Sequence, residues 1–171
     1  MRAALLGAVA AAVVLAAGPT VQRAAGDGDE RLAAAVARVA APPLGLPPVP
    51  VPADNPTTPA KVALGHKLFF DRRLSHNGTM SCAMCHVPEQ GFTSNELARP
   101  VGVEGRSLRR NSPTLLNVAY VERPFHDGRE IALETQALGP LVERNEMGNP
   151  SIGHVIGRIR SLPDYAGLFE R

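Results

Sequence analysis

The sequence contains no tryptophan, and its two tyrosines and five phenylalanines amount to only 4% of the 171 residues. The net charge at pH 7 is only +2, and the basic residues are spread along the chain, so no nucleic-acid-binding surface is indicated. Long apolar runs are also absent except at the N-terminus. A chain of 171 residues is long enough for one domain with a core of its own.

Only two cysteines and five histidines are present. Cys82 and Cys85 have two residues between them, a spacing that occurs in redox dithiols, metal sites and haem-attachment sites. A zinc site would need further ligands at zinc spacing, and the remaining histidines do not cluster. The residues therefore leave a covalent haem, or a dithiol or disulfide without haem.

The N-terminus has the pattern of a signal peptide. Arg2 precedes an uncharged apolar stretch over residues 3–17, which is too short to span a membrane, and small residues follow it. We predict a signal peptide over residues 1–25 with cleavage between residues 17 and 25; an uncleaved anchor is the alternative. Either interpretation predicts export, which we take to be to the periplasm.

Residues 26–58 are expected to lie outside the packed domain. An Ala-rich helix is predicted over residues 30–40. Half of the sixteen prolines then fall between residues 42 and 59, which predicts a linker of extended character. The domain itself is expected over residues 59–171. The sequence stops inside its last predicted helix, so we expect this domain to be incomplete at its C-terminal end.

The domain carries helical signals and no alternating strand pattern. Thr58 ahead of Pro59 predicts a helix over residues 59–70, and Ser151 precedes an i, i+3, i+4, i+7 apolar pattern. Weaker signals predict four more helices. Ser81 predicts a short helix over residues 81–87, and Ser112–Pro113 repeats the cap-plus-proline signal. A capping box formed by Asp127 and Glu130 predicts a helix that ends at residue 138, ahead of Gly139–Pro140. Leu162–Pro163 predicts the start of a final helix.

The clearest chemical motif is C-x-x-C-H over residues 82–86, the attachment signature of c-type haem. On one helical turn, Cys82 and Cys85 face the same way and can reach the two vinyl groups. His86 follows directly and can bind the iron. We therefore predict a mainly α-helical c-type cytochrome domain, with long loops around one covalent haem.

Several short segments together resemble the N-terminal half of the bacterial di-haem cytochrome c peroxidases and the related MauG-like enzymes. The segments are residues 63–71 (ALGHKLFFD), 81–86 (SCAMCH), 110–117 (RNSPTLLN), 127–129 (DGR), 136–140 (QALGP) and 146–148 (EMG). The resemblance covers residues 59–171. It implies a peroxide-reacting haem domain here and a second haem domain, absent from this sequence, that receives electrons.

The resemblance also implies roles for single residues. Cys82 and Cys85 match the thioether-forming cysteines, and His86 matches the proximal ligand of the iron. Gln136 and Glu146 match the catalytic polar pair above the haem, where a carboxylate can move a proton between the oxygens of peroxide and an amide can orient it. On residue type alone, both also fit a solvated surface.

Three further positions matter for the resemblance. Asn111 matches a ligand of the calcium ion that relatives hold between their two domains, and an amide oxygen suits calcium. Residues 87–110 contain no histidine, although many relatives carry one there that caps the resting iron. His126 stands where relatives commonly have a tryptophan between the haems, so the resemblance does not carry over the relatives' electron path at this position, or the path runs differently.

The function implied is that of an exported haem peroxidase, an oxidoreductase that reduces hydrogen peroxide. Its electrons would come from a small cytochrome c or cupredoxin through the second haem; a homodimer is a further expectation. One alternative is a MauG-like protein-oxidising enzyme. The other is a mono-haem electron carrier without peroxidase activity, whose iron would need Met147 or His126 as a sixth ligand.

Overall fold

Helices and tight turns supply the regular structure of the computed structural model, which describes residues 19–170. Its α-helices are α1 (Pro19–Ala40), α2 (Pro59–Phe70), α3 (Leu133–Gln136), α4 (Leu138–Val142) and α5 (Ile152–Ser161). Its 3-10 turns are Arg72–Leu74, Cys82–Met84, Pro88–Gln90, Val103–Gly105, Val118–Tyr120 and Pro163–Tyr165. Within this part of the chain there is no β-sheet, only two isolated bridges. The mainly helical fold class is confirmed.

Of the described residues, the first belong to α1 (Pro19–Ala40), which includes residues well before the predicted start at residue 30. The predicted signal peptide lies largely outside the described residues, and only its residues 19–25 fall in α1. Residues 42–58 contain turns but neither helix nor strand. None of the helices within residues 19–170 is long and apolar enough to cross a membrane.

Helices α2 and α5 begin where their capping residues predict. The Thr58 hydroxyl accepts a hydrogen bond from the Lys61 amide at 3.2 Å, ahead of Pro59 at the first helical position. The Ser151 hydroxyl accepts one from the His154 amide at 3.1 Å. These caps satisfy N–H groups that have no partner inside a helix. Both predictions are confirmed.

Other helix predictions are wrong because tertiary partners use the capping groups. Ser112 begins no helix; its hydroxyl donates instead to the Cys85 carbonyl oxygen. Asp127 begins none either, because its carboxylate pairs with Arg110 and Arg129 at 3.2 and 2.8 Å. A polar residue before an apolar run is thus not sufficient for a cap when another donor or acceptor lies nearby.

Three helix boundaries also differ from prediction. Gly139 and Pro140 lie inside α4 rather than ending a helix, since a proline in the first turn loses no intrahelical hydrogen bond. The haem-motif helix predicted over residues 81–87 shrinks to the 3-10 turn Cys82–Met84. The last predicted helix shrinks to the turn Pro163–Tyr165.

The hydrophobic core is small and directly adjoins the haem motif. Leu74, Met80, Val103 and Met147 form it, each at most 7% exposed, and Cys85 packs against them. Large apolar side chains elsewhere remain exposed; Leu116, Val121, Ile131 and Leu138 are examples. A core this limited is expected where a bulky prosthetic group completes the packing.

A second cluster holds the end of the chain against helix α2. The buried Tyr165 donates from its hydroxyl to Asp71 at 2.8 Å. Arg73 donates to Asp71 and also to Asp164, and Lys67 pairs with Asp164 at 2.8 Å. We call these five residues the C-terminal clasp. Its charges neutralise one another without any help from the haem motif.

Candidate functional site

The two cysteines lie on one tight turn. The 3-10 turn Cys82–Met84 is closed by hydrogen bonds from the Cys85 and His86 amides to the Cys82 carbonyl, at 3.2 and 2.9 Å. Both thiols are free and partly buried. Burial raises the pKa of Cys85 to about 11 and raises that of Cys82, and the negative charge of Glu146 adds to both shifts. The turn thus presents two protonated thiols beside one histidine.

His86 is held in the orientation that a metal ligand needs. Its Nδ1 lies 3.0 Å from the carbonyl oxygen of Phe92 and 3.0 Å from that of Pro113. Because carbonyls only accept, Nδ1 carries the proton and Nε2 keeps a free lone pair. Burial lowers the pKa of His86, so the ring is held neutral. A neutral, oriented imidazole is the form that binds iron.

Side-chain hydroxyls join the two loops that supply these carbonyls. Thr93 donates to the Ser112 carbonyl, and Thr114 donates to the Gly91 carbonyl. Ser112 in turn donates to Cys85 in the haem motif. These bonds hold the loops whose Phe92 and Pro113 carbonyls accept from the Nδ1 of His86. Every residue has a main-chain carbonyl, so the side-chain pattern of the sequence does not reveal that those of Phe92 and Pro113 accept from His86.

Glu146 lies in a turn that follows α4 and folds back on it, with the Met147 amide donating to the Pro140 carbonyl at 3.2 Å. Burial raises the pKa of Glu146, the nearby charge of Glu143 raises it further, and Arg129 acts in the opposite direction. The neighbouring residue Met147 belongs to the core cluster against which Cys85 packs. The turn therefore holds a partly buried carboxyl next to the core that the haem motif adjoins.

Two other residues considered for the haem site, Gln136 and Met147, have surroundings different from those of Glu146. Gln136 is partly buried at the last position of α3, and α4 separates it along the chain from Glu146. Met147 is 5% exposed and packs in the core rather than at a surface. Sequence proximity to Glu146 therefore does not give Met147 the same surroundings.

Asn111 and His126 contact each other through the main chain. The exposed His126 donates from Nε2 to the Asn111 carbonyl at 3.0 Å. The Asn111 side chain donates to the Ser94 carbonyl at 2.9 Å and accepts from the Ser112 amide at 2.9 Å. Within residues 19–170 there is no group of three or more His, Cys, Asp or Glu side chains suited to a metal ion.

The chemistry of this donor set fits a covalently bound haem. Two unpaired thiols lie on one turn next to a neutral imidazole whose Nε2 is free. A reactive dithiol, by contrast, has a lowered thiol pKa, whereas burial raises the pKa values of Cys82 and Cys85. The environment thus disfavours the dithiol alternative and suits thiols that end as buried thioethers.

Known proteins match this chain over the same region. The family model described as di-haem cytochrome c peroxidase matches residues 59–171. The methylamine utilization protein MauG of Methylorubrum extorquens is 47% identical over 122 residues, covering 71% of this chain and 34% of that protein. The cytochrome-c peroxidase IdrP1 of Denitromonas iodatirespirans is 44% identical over 131 residues, covering 75% and 34%.

A solved structure extends the match to three dimensions. A MauG-like protein associated with microbial copper homeostasis superposes with a TM-score of 0.66 at 34% identity, covering 74% of this chain and 37% of that one. The chain spans about a third of the length of the curated relatives that it matches.

Proposed function

Because this chain belongs to the di-haem cytochrome c peroxidase family, we propose that residues 59–171 form the peroxide-reacting haem domain of an exported oxidoreductase. Its substrate would be hydrogen peroxide. Electrons would come from a small cytochrome c or cupredoxin, through a second haem domain of the kind that the family's description implies. Export to the periplasm rests on the signal-peptide pattern of residues 1–25.

The haem would be held by the donor set described above. Cys82 and Cys85 would form the thioether bonds, and His86 would bind the iron through Nε2. When bound, the haem supplies the redox chemistry that peroxide reduction requires. The role of the protein is then to orient the imidazole, which the Phe92 and Pro113 carbonyls do by holding Nδ1.

The observation that supports the proposal is the environment of Glu146, which is partly buried and follows α4 in a turn whose Met147 packs in the core cluster that Cys85 contacts. A carboxyl whose pKa is raised by burial keeps its proton to higher pH than an ordinary carboxyl and can exchange it with a reacting oxygen. Cleavage of the O–O bond releases one oxygen as water when that oxygen gains the proton that the other gives up; two electrons from the donor and two further protons then convert the remaining oxygen to a second water. We assign this proton transfer to Glu146, and the orientation of peroxide to the Gln136 amide.

The electron-carrier alternative is less well supported, because its two candidate ligands are engaged elsewhere. Met147 packs among Leu74, Met80 and Val103 in the core. His126 is exposed and donates from Nε2 to Asn111. Either side chain would have to leave its partners to reach iron. An open sixth position therefore agrees better with these contacts, and it is what a peroxidase needs.

A protein-oxidising activity of the MauG type is the second candidate. It is favoured by the 47% identity to a MauG protein and by the absence of histidine from residues 87–110. We also retain Asn111 as a proposed calcium ligand, since its Oδ1 keeps one lone pair after accepting from Ser112. Both proposals share the same haem site.

Haem attachment is tested by the absorption spectrum of the protein made in a periplasm with haem-attachment machinery. The Soret band is expected to stay with the protein after acid–acetone extraction and to be high-spin in the ferric state. Extraction of the band would refute covalent attachment. A purely low-spin spectrum would place a side chain on the iron and support the electron carrier.

The role of Glu146 is tested in the full-length holoprotein by Glu146→Ala. Peroxide turnover is expected to fall by about 100-fold or more, the contribution typical of a general acid–base group. Glu122→Gln is the matched control, because Glu122 is an exposed carboxylate. The assignment fails if Glu146→Ala turns over peroxide at the rate of the control.

A further inference from the structure

The main chain of the Glu146 turn is braced by a separate loop. The Val103 amide donates to the Glu146 carbonyl oxygen at 3.0 Å. The neighbouring Gly102 is buried so tightly against this turn that a Cβ atom there would overlap the carbonyl of Asn145. Only glycine permits this approach, because any other residue would push the two segments apart.

The same turn is fixed at its next two residues. The Met147 carbonyl accepts from the His76 amide at 2.8 Å. Gly148 has a φ of +68°, and a Cβ atom there would lie 2.9 Å from a methyl group of Val103. Glu146 thus lies on a turn braced on one side by the 102–103 segment and on another by His76.

The bracing loop is itself closed. The Gly102 amide donates to the Arg106 carbonyl at 2.9 Å, and Val101 forms a β-bridge with Ser107. Val103 is 3% exposed and belongs to the core. Because both ends of the loop are bonded, the loop resists displacement and can transmit that restraint to the turn it contacts.

We propose that Gly102 is a positioning residue for Glu146: its lack of a side chain lets the 101–107 loop lie against the Glu146 turn and hold the carboxyl at the haem site. This inference rests on the proposed role of Glu146 in peroxide reduction. It adds that the position of the proton-transferring group depends on a loop that supplies no reacting side chain.

The test is Gly102→Ala in the full-length holoprotein. The methyl group forces the loop from the turn, so kcat for hydrogen peroxide is expected to fall by about 100-fold, the cost of misplacing a catalytic group by about 1 Å. KM should change much less. Hydrogen exchange of residues 143–149 should accelerate, because the Val103–Glu146 hydrogen bond is lost.

The control is Val155→Ala, which removes buried contacts in helix α5 and leaves the bracing loop intact. It is expected to lower Tm without lowering kcat and without faster exchange of residues 143–149. If kcat falls in Gly102→Ala only in proportion to the loss of Tm, as in the control, Gly102 has a merely structural role and the inference is overturned.

A double substitution separates this inference from the role of Glu146. Gly102→Ala added to Glu146→Gln should lower kcat no further than Glu146→Gln alone, because neighbouring residues that act as a unit are not additive. A multiplicative loss would overturn the inference. If Glu146→Gln alone has no effect, the proposed function fails, and faster exchange in Gly102→Ala still decides whether the loop holds the turn.

If Gly102→Ala yields no folded holoprotein, residue-level hydrogen exchange of the parent protein decides. The Val103 and Met147 amides are expected to exchange at one shared slow rate, because loop and turn open together. Exchange of the Val103 amide as fast as that of the exposed Leu97 would overturn the inference.

Discussion

Two carboxyl groups in this protein, Asp71 in the C-terminal clasp and Glu146 in the turn after α4, have opposite surroundings. The Asp71 side chain is only 8% exposed, yet its pKa is lowered to about 2, first by hydrogen bonds from Arg73 and then by that from Tyr165. Glu146 is also partly buried, but burial and the charge of Glu143 raise its pKa. The difference lies in the donors, because burial acts on both groups in the same direction.

The contrast separates a structural acid from a candidate catalytic one. Asp71 is fully ionised at neutral pH and its charge is used in holding Arg73 and Tyr165. Arg129 lowers the pKa of Glu146, but less than burial and the charge of Glu143 raise it. Glu146 therefore holds its proton more firmly than an ordinary carboxyl does and can still transfer it. Groups whose environments move their pKa values apart are the usual sign of divided roles.

Asp71→Asn, which breaks the C-terminal clasp, is expected to change the stability of the protein more than any other substitution proposed below. At pH 7 the free energy of unfolding should fall by roughly 1–2 kcal/mol, less than the full pKa shift implies because Arg73 is partly exposed. The lowered pKa means that this stabilisation is present above about pH 4 and is lost as the pH falls towards 2.

Denaturant unfolding of the holoprotein at pH 7 and at pH 2.5 checks this prediction. The parent and Asp71→Asn curves should differ at pH 7 and approach each other at the lower pH. Peroxide turnover should be unchanged, since the hydrogen bonds and ion pairs that join the five clasp residues reach none of the residues assigned to the reaction. A variant that loses turnover but keeps its stability would contradict the division between the two regions.

A smaller change of opposite sign is expected from Glu146→Gln. A raised carboxyl pKa means that ionisation costs stability as the pH rises above the ordinary carboxyl range. The neutral amide avoids that cost, so Tm should rise by a few degrees at pH 7 and be unchanged at pH 4. Thermal melts at the two pH values measure it; a lower Tm at pH 7 would show that Glu146 is paired.

The smallest effect is expected from the charges around Glu146. Glu143→Gln removes a negative charge and should move the Glu146-dependent limb of the peroxide pH–rate profile to lower pH. Arg129→Gln removes a positive charge and should move it to higher pH. Each shift should be less than about one pH unit, since both charges are solvent-exposed. Shifts in the same direction would exclude Glu146 as the titrating group.

Local signals predicted the fold well where no other part of the chain competed for them. Thr58 and Ser151 cap α2 and α5 as expected, because their hydroxyls accept hydrogen bonds from the first N–H groups of these helices. Ser112 and Asp127 carry the same kind of signal, but Ser112 donates to the Cys85 carbonyl and Asp127 pairs with Arg110 and Arg129 instead. Such competition depends on which segments meet in space, and adjacent residues do not reveal it.

The sequence by itself determined the haem motif, the two principal helix starts and the family, since the resemblance over residues 59–171 is confirmed by the family match. These features depend on residue type and short spacing. Only the tertiary structure decided which carbonyls orient His86, which groups set the pKa of Glu146, and why Gly102 must lack a side chain. The reason is physical: main-chain acceptors, burial and steric contact arise between segments distant in the chain, and no residue type encodes them alone.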